Sequence, residues 1–139
     1  MNIDSITNGF VIDHITAGCA MRLFELLNLD EAECSIALIK NVGSKKMGRK
    51  DIIKIDAEID IDFDVIGYVA PGITVNIIRN SKIVEKRTID LPEILTNVVK
   101  CKNPRCITSV EQELSHVFKL TDRDKRIYRC IYCETMAGR

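Results

Sequence analysis

The chain has no tryptophan, and aromatic residues make up only 5% of a sequence that is 46% hydrophobic. Its cores must therefore rest on Ile, Val and Leu, a composition that favours strands. Neither sign of charge is in excess: 20 Lys and Arg face 20 Asp and Glu, for a net charge of zero. That removes the long-range field with which a nonspecific nucleic-acid binder gathers its target, so any basic site must be local. No stretch approaches the ~18 apolar residues needed to span a bilayer. The start, Met1-Asn2-Ile3-Asp4, carries neither a basic nor an apolar leader region, so a soluble, cytoplasmic protein is expected. There is no Walker-type phosphate loop, nucleophile elbow or His-Glu-x-x-His, which leaves no recognisable catalytic machinery. Gly43-Ser44-Lys45-Lys46-Met47-Gly48-Arg49-Lys50 lacks the Gly-Lys-Ser/Thr ending and is expected to be a surface loop with a ligand or partner role. Internal repeats and low-complexity segments are also absent.

Four cysteines near the C-terminus are the strongest signal. Cys101 and Cys106 form a Cys-x4-Cys pair, and Cys130 and Cys133 form a Cys-x2-Cys pair after a long excursion. Two short turns that each present two soft donors suit a tetrahedral Zn²⁺ ion. Four thiolates would fill the coordination sphere, so the expected role is structural and not catalytic. Basic neighbours, Lys100, Lys102, Arg105, Lys125, Arg126 and Arg129, are expected to stabilise the anionic cluster, with donors to the sulfurs in its surroundings. Cys19 and Cys34 stand apart and are expected to be small buried hydrophobes.

Patterning predicts an α+β organisation in two domains, 1–92 and 93–139, with Pro92 at the boundary. Gly9-Phe10-Val11-Ile12-Asp13-His14-Ile15 reads as a strand. A helix follows, with Ala20, Leu23, Phe24 and Leu27 on its apolar stripe, Met21 and Leu26 widening it, and Asn28 as a stop. Cys34, Ile36 and Leu38 mark a second strand. Ile53, Ile55, Ala57 and Ile59, alternating with polar residues, mark a third that turns Lys54 away from the core. A short helix over 65–69 stops at Pro71-Gly72, and a hairpin follows with its turn at 79–82. The order βαββαβ with an added strand matches a ferredoxin-like sandwich, an antiparallel sheet carrying two helices. In the second domain, a small antiparallel β unit, strands over 97–101 and 126–130 are expected to deliver the two ligand turns, with a third over 115–120.

Taken singly, Asp13 and His14 suit a solvated strand end, and Lys50, Lys54 and Lys86 suit solubilising positions on exposed strand faces. His116 suits a structural residue better than a fifth ligand. Three separated blocks change that weighting: the segment from Gly9 to Ile15, then Met47-Gly48-Arg49-Lys50-Asp51-Ile52-Ile53-Lys54-Ile55, then the cysteine quartet. With Ala70-Pro71 before Thr74-Val75-Asn76, they resemble the regulatory chain of aspartate carbamoyltransferase from about residue 3 to residue 133.

The resemblance implies a non-catalytic subunit of pyrimidine biosynthesis that binds CTP and ATP, with UTP as a third candidate, in its first domain. It implies docking on the catalytic chain through the zinc domain, in a complex of two catalytic trimers and three regulatory homodimers. It further implies that Asp13 accepts from ribose hydroxyls, that His14 meets the triphosphate, and that Lys54 contacts ribose and base. Lys86 neutralises phosphate, Asn76 lines the site, and Ile6, Val11, Ile52, Ile78 and Ile83 wall the base, whose edge is read by main chain near Ile6 and Ser81. A protonated His14 would favour the triphosphate, so effector binding is expected to weaken as pH rises through neutrality. Departures from the family pattern fall at Asp4 and Ser81, and the chain ends six residues past Cys133, where a terminal strand common in relatives is expected to be missing or truncated. The alternatives are a zinc-ribbon nucleic-acid binder, disfavoured by zero net charge, and a zinc hydrolase, disfavoured by the filled coordination sphere.

Overall fold

The computed structural model describes residues 6–138, so the departure at Asp4 lies outside the described residues. The chain divides into two compact units, Met1–Asp90 and Leu91–Arg139. In the first, β1 (Gly9–Thr16), α1 (Ala20–Leu26) and a 3-10 turn (Leu29–Glu31) lead into β2 (Ile36–Ser44) and β3 (Gly48–Ile55). Then come α2 (Phe63–Val69), β4 (Thr74–Arg79) and β5 (Lys82–Thr88). All pairings are antiparallel in the order β2-β3-β1-β4-β5, which is the expected ferredoxin-like arrangement with β5 added at one edge.

Period-two alternation gives this sheet two unlike faces. Ile12, Ile53, Ile55 and Val75 are fully buried on one face, and Ala20 and Leu23 of α1 with Val65 and Ile66 of α2 complete the core. Each such aliphatic side chain contributes roughly 1.5–3 kcal/mol on full burial. The opposite face carries Val11, Lys54, Asn76 and Lys86 and stays open.

Local pattern misjudged some details of this unit. Met21 is 46% exposed and does not widen the stripe of α1. β3 ends at Ile55, because the Asp56 N–H turns to the Ser35 carbonyl, and Ala57 and Ile59 are only half-buried. The 43–50 segment is largely strand, with β2 running to Ser44 and β3 starting at Gly48. Cys19 and Cys34 are half-buried, not buried.

The fully buried Asp51 has a structural task. Its carboxylate accepts from the N–H groups of Gly18 (3.0 Å), Ala20 (3.2 Å) and Asn41 (2.9 Å). It thus satisfies donors at the start of α1, whose N-cap Cys19 offers no side-chain bond, and holds β2 where its pairing with β3 shifts register.

The second unit orders as β6 (Ile94–Thr96), α3 (Ile107–Val110), β7 (Val117–Asp122) and β8 (Ile127–Cys130). The strands form a β6-β7-β8 antiparallel sheet. Leu95, Phe118 and Tyr128 fill its core, so this unit spends two of the scarce aromatics where aliphatics were expected. The expected strand over 97–101 is absent. Asn97 adopts a left-handed conformation (φ 56) and ends β6, while its side chain accepts the His116 N–H and its own N–H bonds the His116 carbonyl. In place of a terminal strand, Met136 makes a single antiparallel bridge to Arg129. The carbonyls of Leu91 and Pro92 accept from Arg123 and Tyr128 of this same unit. Among the described residues, no helix is long and apolar enough to cross a membrane.

Candidate effector face and metal centre

Cross-strand register brings distant residues of the first unit into one row. Lys54 on β3 pairs with Val11 on β1, Val11 pairs with Asn76 on β4, and Asn76 pairs with Lys86 on β5. Directly opposed residues share a face, so two cations and an amide line up across four strands with one apolar side chain between them. Towards one end of the strands, Gly9 pairs with Ile78 and Ile78 with Ile83, and the Ser81 N–H bonds the Thr7 carbonyl. That end therefore gathers buried Ile6 and Ile78 with Ile83, which is 63% exposed.

Towards the other end stand Asp13, His14 and Ile52. The β1–β3 pairing shifts register between Ile12 and Ile15, and His14 sits in the shift with φ 60, an uncommon conformation for a side-chain-bearing residue. Its Nδ1 is buried without a hydrogen-bond partner, as is the Asn76 Oδ1. Burial works to raise the Asp13 pKa, but the Lys50 ammonium (2.9 Å) and the His14 N–H (2.6 Å) outweigh it and hold the carboxyl below its ordinary value. Lys50, which sequence reasoning left among solubilising lysines, thus joins the group. Only the folded register makes its contact with Asp13 visible.

The quartet converges in the second unit. The four Sγ atoms lie within 4.8 Å of one another, with Cys101 to Cys133 at 3.5 Å and Cys106 to Cys130 at 3.7 Å. A tetrahedron of ~2.3 Å Zn–S bonds has edges of about 3.8 Å, so the donor set fits zinc in number, softness and spacing. Among the described residues, His116 is not in this group. Its Nδ1 accepts the Cys101 N–H at 3.1 Å and steadies the first ligand turn.

Two hydroxyls and the Asn103 amide, not the expected basic side chains, make the side-chain hydrogen bonds to sulfur from outside the quartet among the described residues, with Asn103 reaching Cys133 beside Thr135. Thr108 Oγ1 lies 3.0 Å from Cys106 Sγ, and Thr135 Oγ1 lies 3.2 Å from Cys133 Sγ. The Thr108 hydroxyl leads the lowering of the Cys106 pKa, and the Thr135 hydroxyl leads the lowering of Cys133 to about 6. Burial pushes Cys101 up to about 12 and raises Cys130. Cys-x-Thr at the second cysteine of each pair was the sequence signal for these two residues.

A sheet with one open, cation-bearing face and a separate four-cysteine cluster that could hold a metal define a two-unit chain, with no recognisable catalytic constellation among the described residues. Residues 1–90 match the model of the aspartate carbamoyltransferase regulatory chain, allosteric domain, and residues 93–139 match that of its metal binding domain. Regulatory chains are similar throughout: that of Clostridium tetani is 53% identical over 96% of this chain and 94% of its own. That of Clostridium acetobutylicum is 50% identical over 96% and 92%, and that of Bifidobacterium longum 45% identical over 99% of both. The chain belongs to the aspartate carbamoyltransferase regulatory chain family. It is a non-catalytic subunit whose partner is the catalytic chain, with an allosteric role in pyrimidine biosynthesis that follows from the family. The metal module is part of that family and lends nothing to a nucleic-acid-binding ribbon.

Proposed function

We propose that the open face of the first unit's sheet is the effector site, where CTP and ATP compete and UTP is a third candidate. The observation that carries this is the Lys54–Val11–Asn76–Lys86 row. A triphosphate needs several converging cations, and this row with Lys50 and His14 provides them on one surface. From Gly9 to Asp13 the strand advances about 13 Å at ~3.3 Å per residue, a length suited to a nucleoside triphosphate laid along it. The base then lies at the Ile6 and Ser81 end against Ile78, Ile83 and Val11, with Lys54 reaching ribose and base. Asn76 lines the middle, and its unpartnered Oδ1 supports a polar ligand contact there. Lys86 and His14 take the phosphates, Ile52 walls the site, and Asp13 accepts from ribose hydroxyls with the lone pairs that Lys50 leaves free.

Under this proposal residues 1–92 sense the effector and 93–139 dock on the catalytic chain, in a cytoplasmic complex of two catalytic trimers and three regulatory dimers. Binding coupled to substrate affinity must be reciprocal. Calorimetric titration of CTP into the zinc-loaded chain tests the site. Removing a charged donor costs roughly 1.5–3 kcal/mol, so Lys54→Ala and Lys86→Ala should each weaken binding about ten- to a hundredfold. Wild-type affinity in both variants would remove the proposal.

A further inference from the structure

Cys133 is the metal ligand that the fold buries least: Cys101, Cys106 and Cys130 are 8%, 2% and 1% exposed, while Cys133 is half-buried. It is also the ligand at the end of a cross-turn relay. Asn103, from the first ligand turn, donates Nδ2–H to Thr135 Oγ1 at 3.3 Å, and Thr135, from the second, touches Cys133 Sγ. The Asn103 amide is oriented independently, because its Oδ1 accepts the Arg105 N–H at 3.0 Å and its carbonyl accepts Ser109 Oγ at 2.7 Å and the Cys106 N–H at 3.1 Å. Once a metal is bound, the sulfur is a thiolate and can only accept. With its oxygen engaged by Asn103, the Thr135 hydroxyl has its hydrogen free to aim at that sulfur.

We propose that Asn103 and Thr135 are positioning residues that guard the most accessible metal thiolate, so that they, and not the ligands alone, set how fast the chain gives up zinc to thiol-seeking reagents. A hydrogen bond withdraws electron density from the sulfur lone pairs that an organomercurial must attack, and it ties the second ligand turn to the first by a path outside the metal. Thr108, 2% exposed and bonded to buried Cys106, makes the same kind of bond where no reagent arrives easily, which makes it the internal control.

The test is the rate of zinc release from the zinc-loaded full chain treated with p-hydroxymercuribenzoate, followed with a colorimetric chelator. Loss of such an outer partner changes metal-site properties by about ten- to a hundredfold. Thr135→Val should therefore release zinc at least about tenfold faster, Thr135→Ser should match wild type, and Asn103→Ala should fall between. Thr108→Val should change the rate less than Thr135→Val. Substitution with Co²⁺ shows by its tetrahedral spectrum whether each variant's site is assembled. Wild-type release from an assembled Thr135→Val site would overturn the proposal. If Thr135→Val does not assemble, Asn103→Ala decides, since it keeps the hydroxyl and removes both what orients it and the amide's own bond to Cys133; release at the wild-type rate from that variant would be equally fatal.

Discussion

The two units of this chain solve the same problem of stability with opposite means. Through residue 90, Ile12, Ile53, Ile55, Ile66 and Val75 lie fully buried between a five-stranded sheet and two helices, and no metal ligand is needed to explain the fold. From Leu91 onward, a three-stranded sheet offers Leu95, Phe118 and Tyr128 and little else, and buried Cys101, Cys106 and Cys130 with half-buried Cys133 supplement that small interior. A unit of that size buries too little surface to offset its own chain entropy, so coordination free energy becomes folding free energy. The comparison teaches that one chain can join a unit held by aliphatic packing to one whose interior depends on a metal-ligand cluster.

The largest expected effect breaks the second unit alone. Structural zinc supplies roughly 10–16 kcal/mol of apparent binding energy, so Cys130→Ser or complete chelation should unfold 91–138 while the first unit survives. Hydrogen exchange on the whole chain would show β6 to β8 losing protection with β1 to β5 retaining it. Simultaneous loss in both units, or retained protection in the second, would contradict the contrast. The converse variant, Ile53→Ala, should cost the first unit roughly 2–5 kcal/mol through the cavity it leaves. Its denaturant midpoint should fall with zinc content unchanged, and accompanying zinc loss would show that the units share their stability.

The smallest effect concerns the Asp13–Lys50 pair. Its folded pKa lies below the ordinary value of 3.8, so the carboxylate's contribution is complete above that value and is lost as pH falls through the depressed one. Lys50→Met should remove about 1 kcal/mol at neutral pH and shift acid unfolding of the first unit upward in pH. The second unit offers a contrast, because acid there protonates thiolates and expels metal. An acid transition in the first unit that ignores Lys50→Met would mean that the pair is energetically silent.

Much of this was legible beforehand, and the reasons differ by element. The cysteine quartet could be read because ligand turns are local and their spacing is set by coordination chemistry. The strands and helices of the first unit could be read because Ile53 and Ile55, or Ala20 and Leu23, recur at the period of their element. The 97–101 strand was misread because Val98 and Val99 carry β propensity, whereas Asn97, held by His116, turns the chain first. Lys50 passed as an ordinary polar residue because folding alone brings Asp13 to it, whereas Thr108 and Thr135 stand two residues after their cysteines and carried a local Cys-x-Thr signal that went unread.

By itself, the amino-acid order determined the metal donors, the division into an aliphatic and a thiolate-held part, and which residues of each strand share a face. Those properties follow from composition and short periodicities. Only the tertiary structure decided that Lys54, Val11, Asn76 and Lys86 share one row, that His14 occupies a register shift beside the Asp13–Lys50 pair, and that Asn103 reaches Thr135 across the metal centre. Such alignments depend on cross-strand register and turn geometry, which no local stretch of chain specifies.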